Sequence, residues 1–271
     1  MDISFYNIFQ FLIIGAAVGF LGGFLGVGGG IIMIPLLTFW AFPSLHVSPE
    51  VIIHLAFGTS LAIIIPTSLS SSLAHSRVGN VVWKVVALLS ITGIIGSFLG
   101  STLSATLRGP VLKILFGMVL IVTSAQMLLQ KKAPGEAGES FILPKPVPTL
   151  IVGFLVGVFS GFFGLGGGVL AIPLMVRFLN IPIHKAMGIS ITFVFFAAIV
   201  GAAGYAYNGW GHSNLPPYSL GYIHLVGWVL AGLPSIFLAQ WGARVSGRTR
   251  PVRLRRAFAF LLLIVGIRML F

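Results

Sequence analysis

Two glycine triplets, Gly28–Gly30 and Gly166–Gly168, are the residues most able to bind a solute in this sequence, and each precedes an apolar run that contains a proline. Three consecutive glycines disfavour a continuous helix, because each costs about 1 kcal/mol relative to Ala in a helix interior. A helix that begins at about Gly30 or Gly168 exposes its first backbone N–H groups and the positive end of its dipole. The pattern therefore predicts an anion site made from backbone amides, whose members are Gly28, Gly29, Gly30, Gly166, Gly167 and Gly168.

A second matched pattern, H-x-A-x-G-x-S, follows each triplet and contributes polar side chains. His54 and His184 are predicted to hydrogen-bond an anion or to carry a proton, since the ordinary pKa of His is near 6.5. The alternative is a His at a helix entrance that binds a neighbouring carbonyl. The hydroxyls further along are also predicted to contact the solute, although such groups commonly bond back to their own helix. These are Thr59, Ser60 and Ser190.

A third polar region lies later in the first half, where a serine-rich run precedes His75 and Arg77. The run is too polar to face lipid, so we expect it to face a cavity or the interior of a helix bundle. Its members are Ser68, Ser70, Ser71 and Ser72.

Acidic residues are scarce, and their positions indicate the charge of the solute. Three of the four, Asp2, Glu136 and Glu139, lie in the N-terminal segment and in a polar linker, and only Glu50 borders an apolar stretch. A cation carrier needs carboxylates within the membrane, whereas a net charge of +12 suits a small anionic substrate. There is no cysteine, and no metal site or cofactor is predicted.

The composition places these residues in a membrane. Apolar residues make up 57% of the chain, charged residues 7%, and the mean hydropathy is +1.08, whereas soluble domains carry about 25% charged residues. The surface must therefore contact membrane lipid, and a multi-pass protein of the plasma (inner) membrane is expected. The basic residues form no stripe interleaved with aromatics, so nucleic acid is excluded as a partner. A homodimer is left open.

Eight apolar stretches are long enough to span a bilayer, which needs roughly 20 residues. We therefore predict an all-α, polytopic helical membrane protein. The first stretch has 33 residues, which would span about 50 Å as one helix, so it must break or fold back. The stretches are about 8–40, 51–73, 81–105, 111–130, 147–179, 185–208, 219–245 and 255–271.

The stretches form two internal repeats of four segments, each with a glycine-broken helix at its start. GVGGGIIMIPLL from Gly26 matches GLGGGVLAIPLM from Gly164, and the two H-x-A-x-G-x-S blocks follow in the same order. A weaker match pairs LKILFG from Leu112 with LRRAFA from Leu254. We predict a first repeat at residues 1–130, a linker at 131–148 and a second repeat at 149–271.

Duplicated hydrophobic halves are typical of secondary transporters, whose sites lie where the halves meet. If each glycine break forms a re-entrant hairpin the repeats are inverted, and if it forms one tilted span they are parallel; the sequence leaves both open. The loop from Arg244 to Arg256 is predicted to face the cytoplasm by the positive-inside rule. A small-xxx-small spacing predicts close helix packing at Gly15, Gly19, Gly23, Gly153, Gly157 and Gly161.

The paired glycine–proline blocks, the H-x-A-x-G-x-S blocks and the ending LRRAFAFLLLIVGIRML resemble the sulfite exporter TauE/SafE family of membrane permeases. The resemblance covers nearly the whole chain. It implies about eight membrane segments and the export of sulfur oxyanions or organosulfonates, such as sulfite, sulfoacetate or thiosulfate. In the second half Ile189 replaces Thr59, so a hydroxyl contact at that point is not symmetric.

The leading prediction is a secondary transporter that moves a small sulfur-containing anion by alternating access. Export is the direction that the family resemblance implies. An anion channel is the first alternative. An intramembrane hydrolase that uses Ser160 and His224 is the second, and the repeat disfavours it because Gly22 stands in the place of Ser160. No enzymatic activity is predicted.

Overall fold

The computed structural model describes residues 4–25, 29–129, 142–246 and 251–271. Gly28 and most of the predicted linker lie outside these ranges. The first half contains α1 (Phe5–Leu25), α2 (Gly30–Leu36), a π-helical turn (Leu37–Ala41), α3 (Phe42–Ser44), α4 (Ile52–Arg77), α5 (Trp83–Thr106) and α6 (Gly109–Leu129). The second half contains α7 (Pro146–Phe163), α8 (Gly168–Phe178), α9 (Ile183–Asn208), β1 (Ser219–Leu220), β2 (Ile223–His224), α10 (Leu225–Ser246) and α11 (Pro251–Leu270).

Seven helices in the described part of the chain are long and apolar enough to cross a membrane: α1, α4, α5, α6, α7, α9 and α10. The two strands form one short antiparallel hairpin between α9 and α10. The chain is therefore a polytopic helical membrane protein, as its composition predicts. Helix α7 begins at Pro146, three residues before the predicted start of the second repeat.

The two glycine-rich stretches break their helices where the sequence predicts. Helix α2 begins at Gly30 and α8 begins at Gly168. The residue before each, Gly29 with φ of 70° and Gly167 with φ of 78°, has the left-handed conformation that side chains disfavour. The predicted helix starts are therefore confirmed.

Each break reverses the direction of the chain. Gly29 lies against Val18 of α1, and Gly167 lies against Val156 of α7, so each chain folds back along the helix before it. The return arm of the first half ends beside the start of α1, where Ser44 Oγ donates to Gln10 Oε1 at 2.7 Å. The stretches form re-entrant hairpins, the first of the two alternatives that the sequence left open.

Corresponding helices of the two halves run in opposite directions. Helices α4 and α9 are antiparallel, because Ser72 contacts Thr192 whereas Gly58 contacts Tyr205. Helices α6 and α11 are antiparallel as well, since Gly117 faces Gly266 and Ser124 Oγ donates to the Ala259 carbonyl. A two-fold axis in the membrane plane produces this relation. If the two halves are repeats, as the sequence predicts, they are inverted rather than parallel.

The packing between the halves follows the same relation. Helix α1 corresponds to α7 and α5 corresponds to α10, and α1 packs on α10 as α7 packs on α5. A Cβ added at Gly157 would collide with the Gly93 carbonyl oxygen, and one at Gly15 would collide with the Ala231 backbone. Such close approach is what small-xxx-small spacing allows in lipid. The same contacts recur at Gly19, Gly153 and Gly161.

Candidate functional site

A cavity of about 670 Å³ extends from one face of the molecule to the first glycine break. Its inner end is formed by Gly29, Gly30 and Ile64, and its mouth by His75 and Arg77. Its walls come from α1, α2, α4, α9 and α10. The polar residues among them are Thr67, Ser68, Ser70, Ser71, Asn80, Ser235 and Gln240.

Helix α4 places the hydroxyls of this cavity. Pro66 lies inside the helix, where it removes one backbone N–H, and the next residue, Thr67, donates back to the Ile63 carbonyl at 2.8 Å. Gln240 Nε2 of α10 donates to Ser70 Oγ at 2.7 Å and joins the two walls. The lining thus combines neutral hydrogen-bonding groups with His75 and Arg77, and contains no Asp or Glu among its residues. Such a lining suits an anion.

The basic residues show which face carries the mouth. Arg77, Lys84 and Lys185 lie at the ends of α4, α5 and α9 on that face, because Asn80 contacts Gly188 there. Lys145 and Arg177 lie on the same face, since α7 runs parallel to α5 and α8 returns along α7.

The opposite face has few cations. Arg108 and Lys113 begin α6, and Arg268 ends α11. Helix α10 runs toward the mouth face past Gln240, and the densest basic run of the sequence follows it along the chain. By the positive-inside rule, we expect the cavity to open to the cytoplasm.

The two glycine breaks meet at the inner end of the cavity. A Cβ added at Gly30 would lie 2.9 Å from the Leu165 carbonyl oxygen, and Gly166 lies against both Ile64 and Val194. The second break is behind Ile64 and does not line the cavity. Gly29 and Gly30 line it, so the structure brings the two predicted triplets together but opens only the first to solvent.

Six buried hydroxyls have no hydrogen-bond partner among the described residues, and three of them, Ser60, Ser160 and Ser190, lie on α4, α7 and α9. Ser160 lies beside Gly167, where a Cβ would be 3.2 Å from the Ser160 Cβ. The first amides of α8 also lack partners within their helix, as at every helix start. An unpaired buried hydroxyl costs about 1–3 kcal/mol, so these groups are suited to a polar ligand.

The two predicted histidines do not share a site in this conformation. His54 is buried near the outer face, and its Nε2 lies 3.0 Å from the Leu107 carbonyl oxygen. His184 is exposed at the cytoplasmic end of α9. Thr59 is engaged elsewhere, because its Oγ1 accepts the N–H of His224 at 2.9 Å. None of the three lines the cavity, so their predicted contact with the solute stays a prediction.

The outer face is closed by α9 and by the β-hairpin. The hydroxyl of Tyr205 donates to the Phe162 carbonyl oxygen at 3.0 Å and is hydrogen-bonded with Ser104 Oγ at 2.8 Å. Tyr222 stacks on His54 with ring centroids 5.1 Å apart. His224 Nδ1 accepts the N–H of Gly227, and burial lowers the pKa of His224 to about 4. This histidine is therefore neutral near pH 7.

The two residues of the hydrolase alternative, Ser160 and His224, are not hydrogen-bonded to each other. Ser160 Oγ has no hydrogen-bond partner among the described residues, so no base activates it. His224 is held by Gly227 and stacks on Phe11, with ring centroids 5.4 Å apart.

Several cavity residues were not predicted as site residues. The serine-rich run of α4 was expected to face a cavity, and Ser68, Ser70 and Ser71 do so, whereas Ser72 binds Thr192. Asn80 and Gln240 were missed. Gln240 carries a signal in the sequence, since it is an amide in an otherwise apolar span.

Comparison with known proteins matches residues 11–269 to the family described as Sulfite exporter TauE/SafE. A probable membrane transporter protein of Haemophilus influenzae is 30% identical over 258 residues, covering 95% of this chain and 96% of that protein. One of Methanocaldococcus jannaschii is 28% identical, over 96% of this chain and 94% of that protein. One of Xylella fastidiosa is 32% identical over 71% of each.

Proposed function

Because this chain belongs to the sulfite exporter TauE/SafE family and is a membrane transporter rather than an enzyme, we propose that it exports small sulfur-containing anions by alternating access. Sulfite, sulfoacetate and other organosulfonates are the substrates to test. The single observation that carries the proposal is the cytoplasmic cavity, which is basic at its mouth, lined by hydroxyls and free of acids.

The anion enters at the mouth, where Arg77 provides the positive field. It then moves along the hydroxyls of α4, which offer hydrogen bonds without fixed charge, so that binding stays weak enough for release. The cavity volume, about 670 Å³, admits a sulfonate with a short organic tail as well as sulfite.

The binding site itself lies where the two breaks meet. The backbone amides at Gly29, Gly30 and the start of α8 are its anion donors, and the unpaired hydroxyls of Ser60 and Ser190 lie on the two antiparallel helices beside it. Ile64 separates the open break from the closed one, so we expect this side chain to move when the anion binds. The site proposed here uses neither His54 nor His184.

Counterflow in proteoliposomes tests the proposal. Vesicles with the purified full chain are loaded with unlabelled sulfite or sulfoacetate, and accumulation of the labelled anion is measured. We expect saturable exchange, and Arg77→Gln should raise the half-saturating concentration about fivefold, the upper range for an exposed charge. Lys84→Gln, which removes one charge from the same face outside the cavity, should have no such effect. If no sulfur anion exchanges, the proposal fails.

An anion channel gives a different result in the same vesicles. Flux through a channel does not accelerate when unlabelled anion is present on the opposite side, whereas exchange by a carrier does. The sealed outer face at Tyr205 favours the carrier.

A further inference from the structure

Two cations from different helices approach one aromatic ring on the outer face. The Lys113 ammonium of α6 lies 5.7 Å from the centroid of the Phe39 ring, and the Arg268 guanidinium carbon of α11 lies 4.6 Å from it. Both distances are within the range of cation–π attraction. Phe39 reaches this position from the π-helical turn of the first return arm.

The cluster carries two positive charges and no acid. Helices α6 and α11 contain no Asp or Glu, and neither does the return arm from Gly30 to Ser44. The cluster is on the outer face, away from the cavity and its basic mouth, and none of its residues lines that cavity. Two cations therefore lie close together at the Phe39 ring, and the helices and the return arm that carry the cluster provide no acidic residue to neutralise them.

The surroundings of the cluster are apolar and face outward. Ile114 is 43% exposed on α6, and Ile267 and Phe271 are 45% and 94% exposed at the end of α11. Such side chains on spanning helices contact acyl chains. A ligand at this cluster therefore meets cations at its head and hydrocarbon beside it, which is the chemistry of a phospholipid rather than of a free ion.

We propose that Phe39, Lys113 and Arg268 form a binding site for the phosphate of an anionic phospholipid in the outer leaflet. Arg268 binds phosphate oxygens through its planar guanidinium, Lys113 adds a second charge, and Phe39 fixes both. Among the described residues, the second half has no counterpart of the π-helical turn, because α8 continues to Phe178 as a plain helix. The site therefore belongs to one leaflet.

The test measures thermal stabilisation of the purified chain by lipid. Phosphatidylglycerol in a phosphatidylcholine background should raise the Tm of the unmodified chain, and the double variant Lys113→Gln/Arg268→Gln should lose most of this increase. Arg108→Gln is the matched control, since it removes an exposed outer-face cation that the ring contacts do not include. It should keep the increase.

Three results would overturn the proposal. An equal loss in Arg108→Gln would indicate general surface charge. Stabilisation by inorganic phosphate in phosphatidylcholine alone would indicate a free-ion site. If the double variant is too unstable to compare, native mass spectrometry of the unmodified chain decides the matter: bound phosphatidylglycerol that survives mild activation supports the site, and its complete absence contradicts it.

Discussion

The cytoplasmic half of α4 and the outer half of α9 occupy corresponding positions in the two halves but differ in chemistry. The first lines an open cavity with hydroxyls, and the second is packed shut. Counted from His54 and His184, the pairs are Thr67 and Ala197, Ser68 and Ala198, Ser71 and Gly201, and His75 and Tyr205.

This difference shows how corresponding helices of the two halves can line two routes of different chemistry. On the cytoplasmic side, polar groups can hold an anion on its way in. On the outer side, small residues let helices pack tightly, as Gly204 does against Ser101, and an outer route lined by such residues offers little to retain an anion. Under the proposed function, the cytoplasmic entrance then retains the anion better than the outer exit, and the gradient of the anion sets the direction of net transport.

The largest expected effect comes from the point where the two breaks meet. Gly30→Val should abolish transport, because its side chain would collide with the Leu165 carbonyl and Ile64. Overpacking of this kind costs about 1–3 kcal/mol of stability. Gly232→Val in α10 is the control, since a Cβ there has open space. Proteoliposome counterflow and Tm are the measurements, and normal exchange by the Gly30 variant would remove this contact from the mechanism.

The next test compares matched positions on α4 and α9 directly. The chain has no cysteine, so Thr67→Cys and Ala197→Cys each create a single reactive site. Thr67 lines the cavity and Ala197 is fully buried. Because a minor conformation is populated at about 0.1–10%, we expect thiol labelling at 197 to be about 10- to 1000-fold slower. Equal rates would contradict the closed outer face.

Sequence reasoning predicted the helix starts at Gly30 and Gly168 because glycine triplets act locally. It also predicted the close packing of Gly157, since the spacing of small residues is visible in one helix. It could not predict that His54 binds the Leu107 carbonyl, because that contact joins residues far apart in the chain. The serine-rich run of α4 did predict a cavity, but which face of the protein is open depends on the conformation of the whole helix bundle.

A smaller effect concerns the pH dependence of the outer closure. Burial lowers the pKa of His224 to about 4, so the unfolded state binds its proton first as pH falls. The stability contributed by neutral His224 is complete above about pH 6.5 and is lost as pH falls toward 4, by about 3 kcal/mol at most.

His224→Asn keeps an acceptor for the Gly227 N–H and should flatten the dependence of Tm on pH across that window. His184→Asn, at an exposed position at the start of α9, should leave the dependence unchanged. If Tm depends on pH in the same way in both variants, His224 does not control the pH dependence of stability.

The smallest effect separates the outer hydrogen bonds from outer packing. Tyr205→Phe leaves the ring in place but removes the hydroxyl that joins Ser104 and the Phe162 carbonyl. Losing these bonds should destabilise the closed outer face by about 1–2 kcal/mol. The open state would then be about 5- to 30-fold more populated, and labelling of Ala197→Cys would be faster by the same factor. Tyr207→Phe is the control, because Tyr207 lies two residues further along the chain and is 75% exposed. An unchanged rate in the Tyr205 variant would mean that the small residues of α9, rather than its terminal hydroxyl, keep the outer route closed.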